Sequence, residues 1–374
     1  MGLLVVGQGC KEDPSSVGLG LLNSGDFPRI RVDTLHASSF STVSTPLVTY
    51  GSDRLLVGKY PSYTAMSILQ FISLPIGAMD SVTITSAYLQ LRSVYHFGDA
   101  DAPIAFLGYR MIAISDSATF DSLTTFASNY YSPNPVLTYS PTVVDDTTTI
   151  QCPIDTGVVH SWFTTDSASY NYGIILIPTN VSTIKGFGSF LSATSEYYPT
   201  LVINYVGTDG TAGSVNFNTG SARFLADIDL TTLEAADPQS MFAQCGVAYR
   251  AQLKFHLPSL PKAGLILKAT LELTLNPVAS NLNSFAADTL IAYPDSTVSA
   301  FPVQSVTLTA DSGRKVYQFP IVGFVRSWAS TETLQQIQFG GLREGSSLDL
   351  FALYGTLAPY AGDRPRLIVT SIVQ

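Results

Sequence analysis

Tyrosine is the residue type in this chain that is best placed to contact a ligand. Six tyrosines fall in predicted loops or strand ends, namely Tyr130, Tyr131, Tyr170, Tyr172, Tyr197 and Tyr198. Flat aromatic rings can stack on sugar rings, and the phenol adds a hydrogen-bonding group. These six residues are therefore predicted glycan contacts. The alternative is that they pack on the protein itself, because aromatic side chains supply large buried areas.

Aspartates offer a second kind of chemistry, the binding of calcium. Asp99 and Asp101 follow Gly98 closely and could place two oxygens on a calcium ion in a loop. Asp145-Asp146 is a further candidate. Aspartate is also a common turn former, so an ordinary turn is the alternative at both places. No other cofactor is predicted.

The residues that usually carry catalysis do not form a recognisable set. The histidines His36, His96, His160 and His256 lie far apart in sequence, and none has a metal-ligand spacing. No nucleophile elbow, phosphate loop, dinucleotide fingerprint or His-Glu-x-x-His motif occurs in the chain. We therefore expect no enzyme. A glycan-active enzyme remains as an alternative, because sandwich glycosidases bring their paired carboxylates together from distant strands.

A pattern that occurs twice predicts the elements that carry these residues. Gln151–Trp162 reads QCPIDTGVVHSW and Gln318–Trp328 reads QFPIVGFVRSW, and the chain has no other tryptophan. Each tryptophan precedes a proline, Pro199 or Pro365, by 37 positions (199 − 162 and 365 − 328), and that proline opens an apolar strand. Such a long period indicates a duplicated unit, in which the tryptophans and prolines are structural residues.

Alternating apolar residues predict that this unit is built of strands. Ser81–Arg92 and Leu267–Leu275 occupy matching places in the two halves, and each carries an apolar residue at every second position over part of its length. Helical periodicity is confined to one or two turns before each tryptophan. The predicted fold is all-β, with two tandem antiparallel β-sandwich, jelly-roll-like domains and only short helical turns.

Composition suggests where the predicted domains begin and end. An apolar segment covers residues 1–9 and a tether rich in Gly, Ser, Asp and Asn covers 10–28. The first sandwich is expected at 29–206, a glycine-rich linker at 207–213 and the second sandwich at 214–374. Cys152 and Cys245 occupy non-equivalent positions of the repeats, so they are interpreted as buried free thiols, with an interdomain disulfide as the alternative.

The first residues resemble the end of a signal peptide at a lipidation cysteine. A small residue precedes Cys10, and a polar, acidic stretch follows it. Cys10 is therefore a predicted lipid-attachment site, which would place the protein at the cell surface, as an outer membrane lipoprotein, or outside the cell. The alternative is that residues 1–9 form an apolar strand that is donated to a neighbouring subunit.

Composition also limits the partners of the 374-residue chain. The net charge is −9 and only 19 residues are Lys or Arg, so the clustered positive charge that binds nucleic acid is missing. No apolar run reaches the length of a membrane-spanning helix, which leaves a lipid anchor as the expected membrane contact. Charged residues make up only 13% of the chain, which suits packing against a glycan, a surface protein or other copies of the chain.

The order of these motifs resembles that of DNRLRE-type β-sandwich modules, some of which are classed as carbohydrate-binding. In the first half the resemblance is carried by Gly157–Trp162, Asn171–Gly173, Ser195-Glu196 and Tyr198–Tyr205. The second half keeps the Trp328 turn and the Arg364–Val369 strand but lacks the Asn-Tyr-Gly and Ser-Glu signatures. The N-terminal half also resembles an uncharacterised family of Bacteroidota-type surface lipoproteins, through Cys10–Gly18, Leu55–Tyr60 and Tyr95–Asp99.

These resemblances imply an exported surface protein with two sandwiches, and they imply no reaction. Two classes of function fit that description. The first is a non-catalytic surface scaffold that is structural, adhesive or glycan-binding. The second is a subunit of a self-assembling extracellular filament or layer, held together by strand donation from residues 1–9.

Overall fold

The structure is a computed structural model that describes part of the chain. The described residues are 29–44, 49, 51–113, 130–164, 170–247, 249–257, 263–282, 288–294, 304–311, 313–330 and 335–373. The predicted lipidation residue Cys10, the apolar segment 1–9 and the tether 10–28 lie outside them. Within these ranges the chain forms 22 strands and three short α-helices, which confirms the predicted all-β class.

The strands and helices have the following bounds. The first twelve strands are β1 Arg29–His36, β2 Ser39–Ser44, β3 Arg54–Tyr60, β4 Tyr63–Phe71, β5 Val82–Gly98, β6 Pro103–Met111, β7 Tyr131–Val143, β8 Thr149–Pro153, β9 Ile174–Pro178, β10 Thr183–Gly188, β11 Thr200–Gly207 and β12 Ala212–Ile228. The other ten are β13 Ser240–Gln244, β14 Tyr249–Lys254, β15 Ile266–Thr274, β16 Thr289–Pro294, β17 Gln304–Thr307, β18 Thr309–Asp311, β19 Arg314–Pro320, β20 Gln336–Gly341, β21 Leu350–Tyr354 and β22 Arg366–Val373. The helices are α1 Thr156–Ser161, α2 Leu230–Ala236 and α3 Val322–Ser330.

Across the ranges that the structure describes, all strand pairings are antiparallel, and they form three sheets. A ten-stranded sheet has the order β12-β11-β5-β10-β3-β4-β9-β6-β7, with β8 on β5 and a further pairing of β12 with β4. This sheet surrounds the apolar core of the N-terminal half. A five-stranded sheet, β1-β22-β15-β19-β18, and a seven-stranded sheet, β17-β16-β20-β14-β13-β21 with β2 on β14, share the core of the C-terminal half.

Alternation of apolar residues places the strands on their cores, as the sequence predicts. Ala87, Leu89 and Leu91 of β5 are buried, and so are Ala269, Leu271 and Leu273 of β15 and Leu275 directly after it. Because successive side chains of a strand point to opposite faces, this spacing gives each strand one face on the core. Burial of each large apolar side chain contributes roughly 1.5–3 kcal/mol.

The two tryptophans lie at the ends of short helices that close the cores. Helix α1 begins where the Asp155 side chain accepts a hydrogen bond of 2.9 Å from the Val158 N–H. A side-chain acceptor at this position satisfies one of the free N–H groups of the first helical turn. Trp162 follows α1 and is buried in the N-terminal core, whereas Trp328 lies within α3 and is buried in the C-terminal core. Pro199 and Pro365 are buried as well.

The two halves use the same strand register around their cores. In the N-terminal half Leu89 pairs with Leu201 on one side and with Cys152 on the other. In the C-terminal half Leu271 pairs with Leu367 and with Phe319. Leu201 and Leu367 each follow the repeated proline by two positions, so these rows are equivalent. The sequence repeat therefore has a counterpart in strand pairing.

The glycine-rich segment predicted as a linker is instead the turn of a hairpin. Gly207 ends β11, its N–H donates to the Thr211 carbonyl over 2.9 Å, and Ala212 begins β12. Gly210 has a φ of +78°, which glycine adopts without steric cost. Glycine and aspartate favour both flexible linkers and tight turns, so composition alone did not separate the two structures.

Strand pairing also crosses the predicted domain boundaries. Strands β1 and β2, expected in the first sandwich, pair with β22 and β14 of the C-terminal half. Strand β12, expected in the second sandwich from residue 214 onward, pairs with β11 and β4 of the N-terminal half. Position along the chain therefore does not determine which core these strands cover.

Candidate functional site: a tyrosine surface

A single asparagine holds the turn that carries two of the predicted tyrosines. Asn171 is buried, and its Nδ2 donates to the Phe71 carbonyl over 2.6 Å at the end of β4. Its Oδ1 accepts from the Gly173 N–H over 3.0 Å, while its carbonyl accepts from Gln70 Nε2 over 2.7 Å. The side chain therefore fixes the chain just before β9.

Gly173 completes this turn because a side chain has no room there. Its φ is +104°, and a Cβ would lie 2.4 Å from the Leu69 carbonyl oxygen. Only glycine accepts both the backbone angle and the close approach. The Asn-Tyr-Gly motif therefore has a structural role, which is to fix the backbone turn that carries Tyr170 and Tyr172.

The neighbours that this turn positions are Tyr170 and Tyr172. Their ring centroids are 4.8 Å apart and their planes meet at 55°. The Tyr172 N–H donates to the Tyr170 carbonyl over 3.1 Å, which keeps the two residues in one bend. Tyr170 is 56% exposed, whereas Tyr172 is half-buried. The Tyr170 ring is therefore open to solvent, and the Tyr172 ring packs against it.

A second tyrosine pair lies on the neighbouring strands β6 and β7. The ring centroids of Tyr109 and Tyr131 are 5.2 Å apart at an interplanar angle of 50°. Tyr130 precedes β7, and its carbonyl accepts from the Ile112 N–H over 2.9 Å. Tyr109, Tyr130, Tyr131 and Tyr172 pack against one apolar cluster, formed by Ile68, Met111, Ile175 and Leu225.

We call Tyr109, Tyr130, Tyr131, Tyr170 and Tyr172 together the tyrosine surface. The structure thus brings together four of the six tyrosines predicted as glycan contacts. It adds Tyr109, which the sequence analysis missed. The signal for Tyr109 was its place two residues before buried Met111 on β6, which puts both side chains on the same face of the strand.

The other two predicted tyrosines lie elsewhere. Tyr197 ends the 3-10 turn Ser195–Tyr197 and contacts Gly188 at the end of β10. Tyr198 follows directly and leads into β11 through Pro199. Both side chains are half-buried. They are separate from the tyrosine surface and belong to the connection that enters the core strand.

The predicted calcium ligands Asp99 and Asp101 form a local turn. The Asp101 N–H donates to Asp99 Oδ1 over 3.0 Å, a bond typical of aspartates in turns, and both residues are exposed. Among the residues that the structure describes, no three His, Cys, Asp or Glu side chains come close enough to hold a metal ion. The calcium site stays a prediction.

The other calcium candidate, Asp146, takes part in a polar cluster around the buried Lys185. His96 Nδ1 lies 2.5 Å from Asp146 Oδ2, and Lys185 Nζ lies 3.6 Å from Asp146 Oδ1. Lys185 is fully buried on β10, and its Nζ donates to the Ala100 carbonyl over 3.0 Å. A buried ammonium needs such partners, because its desolvation is otherwise strongly unfavourable. The cluster therefore joins the loop after β5 to the turn before β8.

The two described cysteines are buried free thiols. Burial raises the pKa of the Cys152 thiol to about 12 and moves the pKa of Cys245 in the same direction. Because the thiolate is the reactive form, neither side chain is poised for nucleophilic chemistry.

Searches of protein-family models, curated proteins and solved structures found no match for the chain. The resemblance to DNRLRE-type modules and to surface lipoproteins therefore stays a prediction. None of the helices in the described part of the chain is long and apolar enough to cross a bilayer. The geometry of the tyrosine surface is the structural basis for the functional proposal.

Proposed function

We propose that this chain is a non-catalytic, exported surface scaffold that binds a glycan through the tyrosine surface. The observation that carries the proposal is the pairing of an exposed ring, Tyr170, with Tyr172 on a turn held by Asn171 and Gly173. An aromatic ring that is fixed before binding loses little conformational entropy when a ligand stacks on it.

The surroundings of these rings support the same ligand class. A sugar has apolar faces between hydroxyl groups, so it suits a site that combines aromatic rings with hydrogen-bonding groups. The tyrosine surface supplies five phenol groups, and all of its tyrosines except Tyr170 pack on the apolar cluster around Ile68 and Met111. The low content of charged residues favours a neutral glycan over a strongly charged partner.

The binding test uses the full chain on immobilised and soluble polysaccharides of different linkage. We expect Tyr170→Ala to weaken binding about tenfold, which corresponds to about 1.4 kcal/mol of binding free energy, and to leave the unfolding midpoint unchanged. The matched control is Tyr360→Ala, because Tyr360 is an exposed tyrosine of the C-terminal half, 74% exposed. Equal losses for the two variants, or no glycan bound by the wild type, would contradict the proposal.

The export part of the proposal rests on Cys10 and has its own measurement. Intact-mass analysis of the protein from cell membranes should show loss of residues 1–9 and the added mass of acyl chains. Cys10→Ser should leave the protein without that mass and release it from the membrane fraction. A wild-type mass that includes residues 1–9 without acyl chains would contradict lipid anchoring.

A further inference from the structure

The N-terminal arm, defined here as β1 and β2 (residues 29–44), closes the open side of the C-terminal core. Strand β1 extends the five-stranded sheet by pairing with β22, and β2 extends the facing sheet by pairing with β14. Between the two strands, the Ser38 N–H donates to the Lys254 carbonyl over 2.8 Å. Leu35 and Phe40 pack against the C-terminal core from this position.

The second arm, defined here as residues 211–226, does the same for the N-terminal core. It pairs with β11 through its first part and with β4 through its second part. Phe217 and Ala222 of this arm pack into the N-terminal core. Each arm therefore pairs with two strands of one core, the N-terminal arm through two strands and the second arm through two parts of β12.

The two arms occupy equivalent places. Leu35 lies opposite Leu367 as Phe217 lies opposite Leu201, and Ser44 lies opposite Tyr249 as Ala226 lies opposite Ala65. The separation between equivalent arm residues is 182 positions in both cases (217 − 35 and 226 − 44). The same separation of 182 positions thus relates β1 and β2 of the N-terminal arm to the two parts of β12 in the second arm.

The order of these elements along the chain means that the two halves exchange their arms. The arm that precedes the N-terminal half closes the C-terminal core, while the arm that precedes the C-terminal half closes the N-terminal core. This is the connectivity of a strand-swapped dimer whose two subunits are joined into one chain. All strand pairings of the N-terminal arm are with the C-terminal half.

We propose that the edges of β22 and β14 form a strand-acceptor site for an N-terminal arm, and that a second copy of this chain can supply it. Both acceptors in the structure are occupied by arms of this chain, which identifies the occupant. An uncovered pair of edges presents free N–H and C=O groups, so an arm that leaves is replaced by another. In sequence, residues 45–53 separate the arm from β3.

Exchange between copies would join them in one of two ways. Two chains that swap arms reciprocally form a closed dimer, whereas unreciprocated donation continues from chain to chain as a filament. The donated segment is then residues 29–44 rather than the apolar residues 1–9 considered from the sequence. This proposal is independent of glycan binding by the tyrosine surface.

The test traps an exchanged arm in the full-length chain with Cys10→Ser. Val32 on β1 lies opposite Thr370 on β22, and Val32 is 62% exposed, so cysteines at these two positions fall within disulfide range without disturbing the core. Chains with Val32→Cys alone are mixed with chains with Thr370→Cys alone, incubated at high protein concentration and oxidised. We expect a covalent dimer that contains one chain of each kind.

Two further variants make the result decisive. Chains with Val278→Cys, at a 93% exposed position outside the arm, are mixed with Thr370→Cys chains and measure random collision. The double variant Val32→Cys/Thr370→Cys should form an internal disulfide and remain monomeric in light scattering. A mixed pair that crosslinks no more than the Val278→Cys control would overturn the proposal. So would a locked double variant that assembles as readily as the wild type.

Discussion

Each half has a tryptophan corner, defined here as the backbone from Ile154 to Trp162 or from Ile321 to Trp328. The two corners are alike in geometry, although the cores around them differ. Trp162 lies 6.1 Å from Phe71 and Trp328 lies 5.7 Å from Phe255, measured between ring centroids, and both pairs meet at 35°. Beside each corner an isoleucine N–H, Ile154 or Ile321, donates to the carbonyl of the equivalent alanine over 2.9 or 3.0 Å. The repeated Pro-Ile…Ser-Trp motif therefore encodes a backbone corner together with an aromatic pair.

Away from the corner, the equivalent positions hold different chemistry. Lys185 pairs with Val57 on β3, and Phe351 pairs with Ala243 on β13, so a buried cation in one half matches a buried aromatic ring in the other. Strand β5 has 17 residues and continues to pair with β10, whereas β15 has nine. The comparison shows that the same corner is compatible with a buried cation at a position of one half where the other half buries an aromatic ring.

The largest expected effect is the loss of either corner. Trp162→Ala and Trp328→Ala should each lower the free energy of unfolding by about 3–5 kcal/mol, because both remove a buried aromatic side chain and leave a cavity. Urea unfolding followed by circular dichroism measures this, with Tyr360→Ala as the exposed aromatic control. If one of the two substitutions left the free energy of unfolding nearly unchanged, the two corners would not be equivalent.

The polar cluster around Lys185 should respond differently from the apolar surroundings of Phe351 in the other half. Asp146→Ala leaves the Lys185 ammonium buried without its carboxylate and should cost about 3 kcal/mol. The double variant Lys185→Met/Asp146→Ala should recover part of that loss, since it gives the N-terminal half an apolar residue where the other half has Phe351. A double-mutant cycle in urea measures the coupling. Additive losses would show that the ion pair has no special role.

A smaller effect is expected at the turn that positions the tyrosines. Gly173 and Gln336 are equivalent, because each directly precedes the isoleucine that pairs with β4 or β14. Gly173→Ala should cost about 1–3 kcal/mol, since a Cβ meets the Leu69 carbonyl at positive φ. Gln336→Ala should stay within about 0.5 kcal/mol. Similar thermal midpoints for the two variants would contradict this account of the motif.

The smallest effect is an absence of reaction at both buried thiols. Folded protein with Cys10→Ser should take up no iodoacetamide at pH 8, because burial raises the pKa of Cys152 to about 12 and also that of Cys245. The same protein in urea should be alkylated at both cysteines, as mass spectrometry would show. Labelling of only one thiol in the folded state would reveal that its half opens more easily.

Local patterns predicted the strands and the corners well, because these depend on nearby residues. The alternation from Ala87 to Leu91 places one face on the core, and the Ser-Trp motif lies at the end of α1 and in the last turn of α3. The exchange of arms could not be predicted in this way. A strand pairs through backbone groups that every residue carries, so 29–36 contains no local sign that its partner is β22.

The candidate site was predicted in part for the same reason. The sequence predicts Tyr130, Tyr131, Tyr170 and Tyr172 as aromatics near loops, and the fold brings them together. Tyr197 and Tyr198 met the same criterion but lead into a core strand. Tyr109 was missed because its contribution depends on β6 lying between β7 and β9, which is a long-range property of the sheet.

The pairing of β1 with β22 also determines how the chain would respond to tension. Arg29 lies directly opposite Val373 at one end of this antiparallel pair, and His36 lies opposite Arg366 at the other. A load applied at Arg29 and Val373 in opposite directions would therefore peel the pair one residue at a time, without shearing all its hydrogen bonds together. Stretching would release the exposed Arg29 end of β1 before it reaches Leu35, which packs on the C-terminal core, so mechanical force would begin to free the arm from that end.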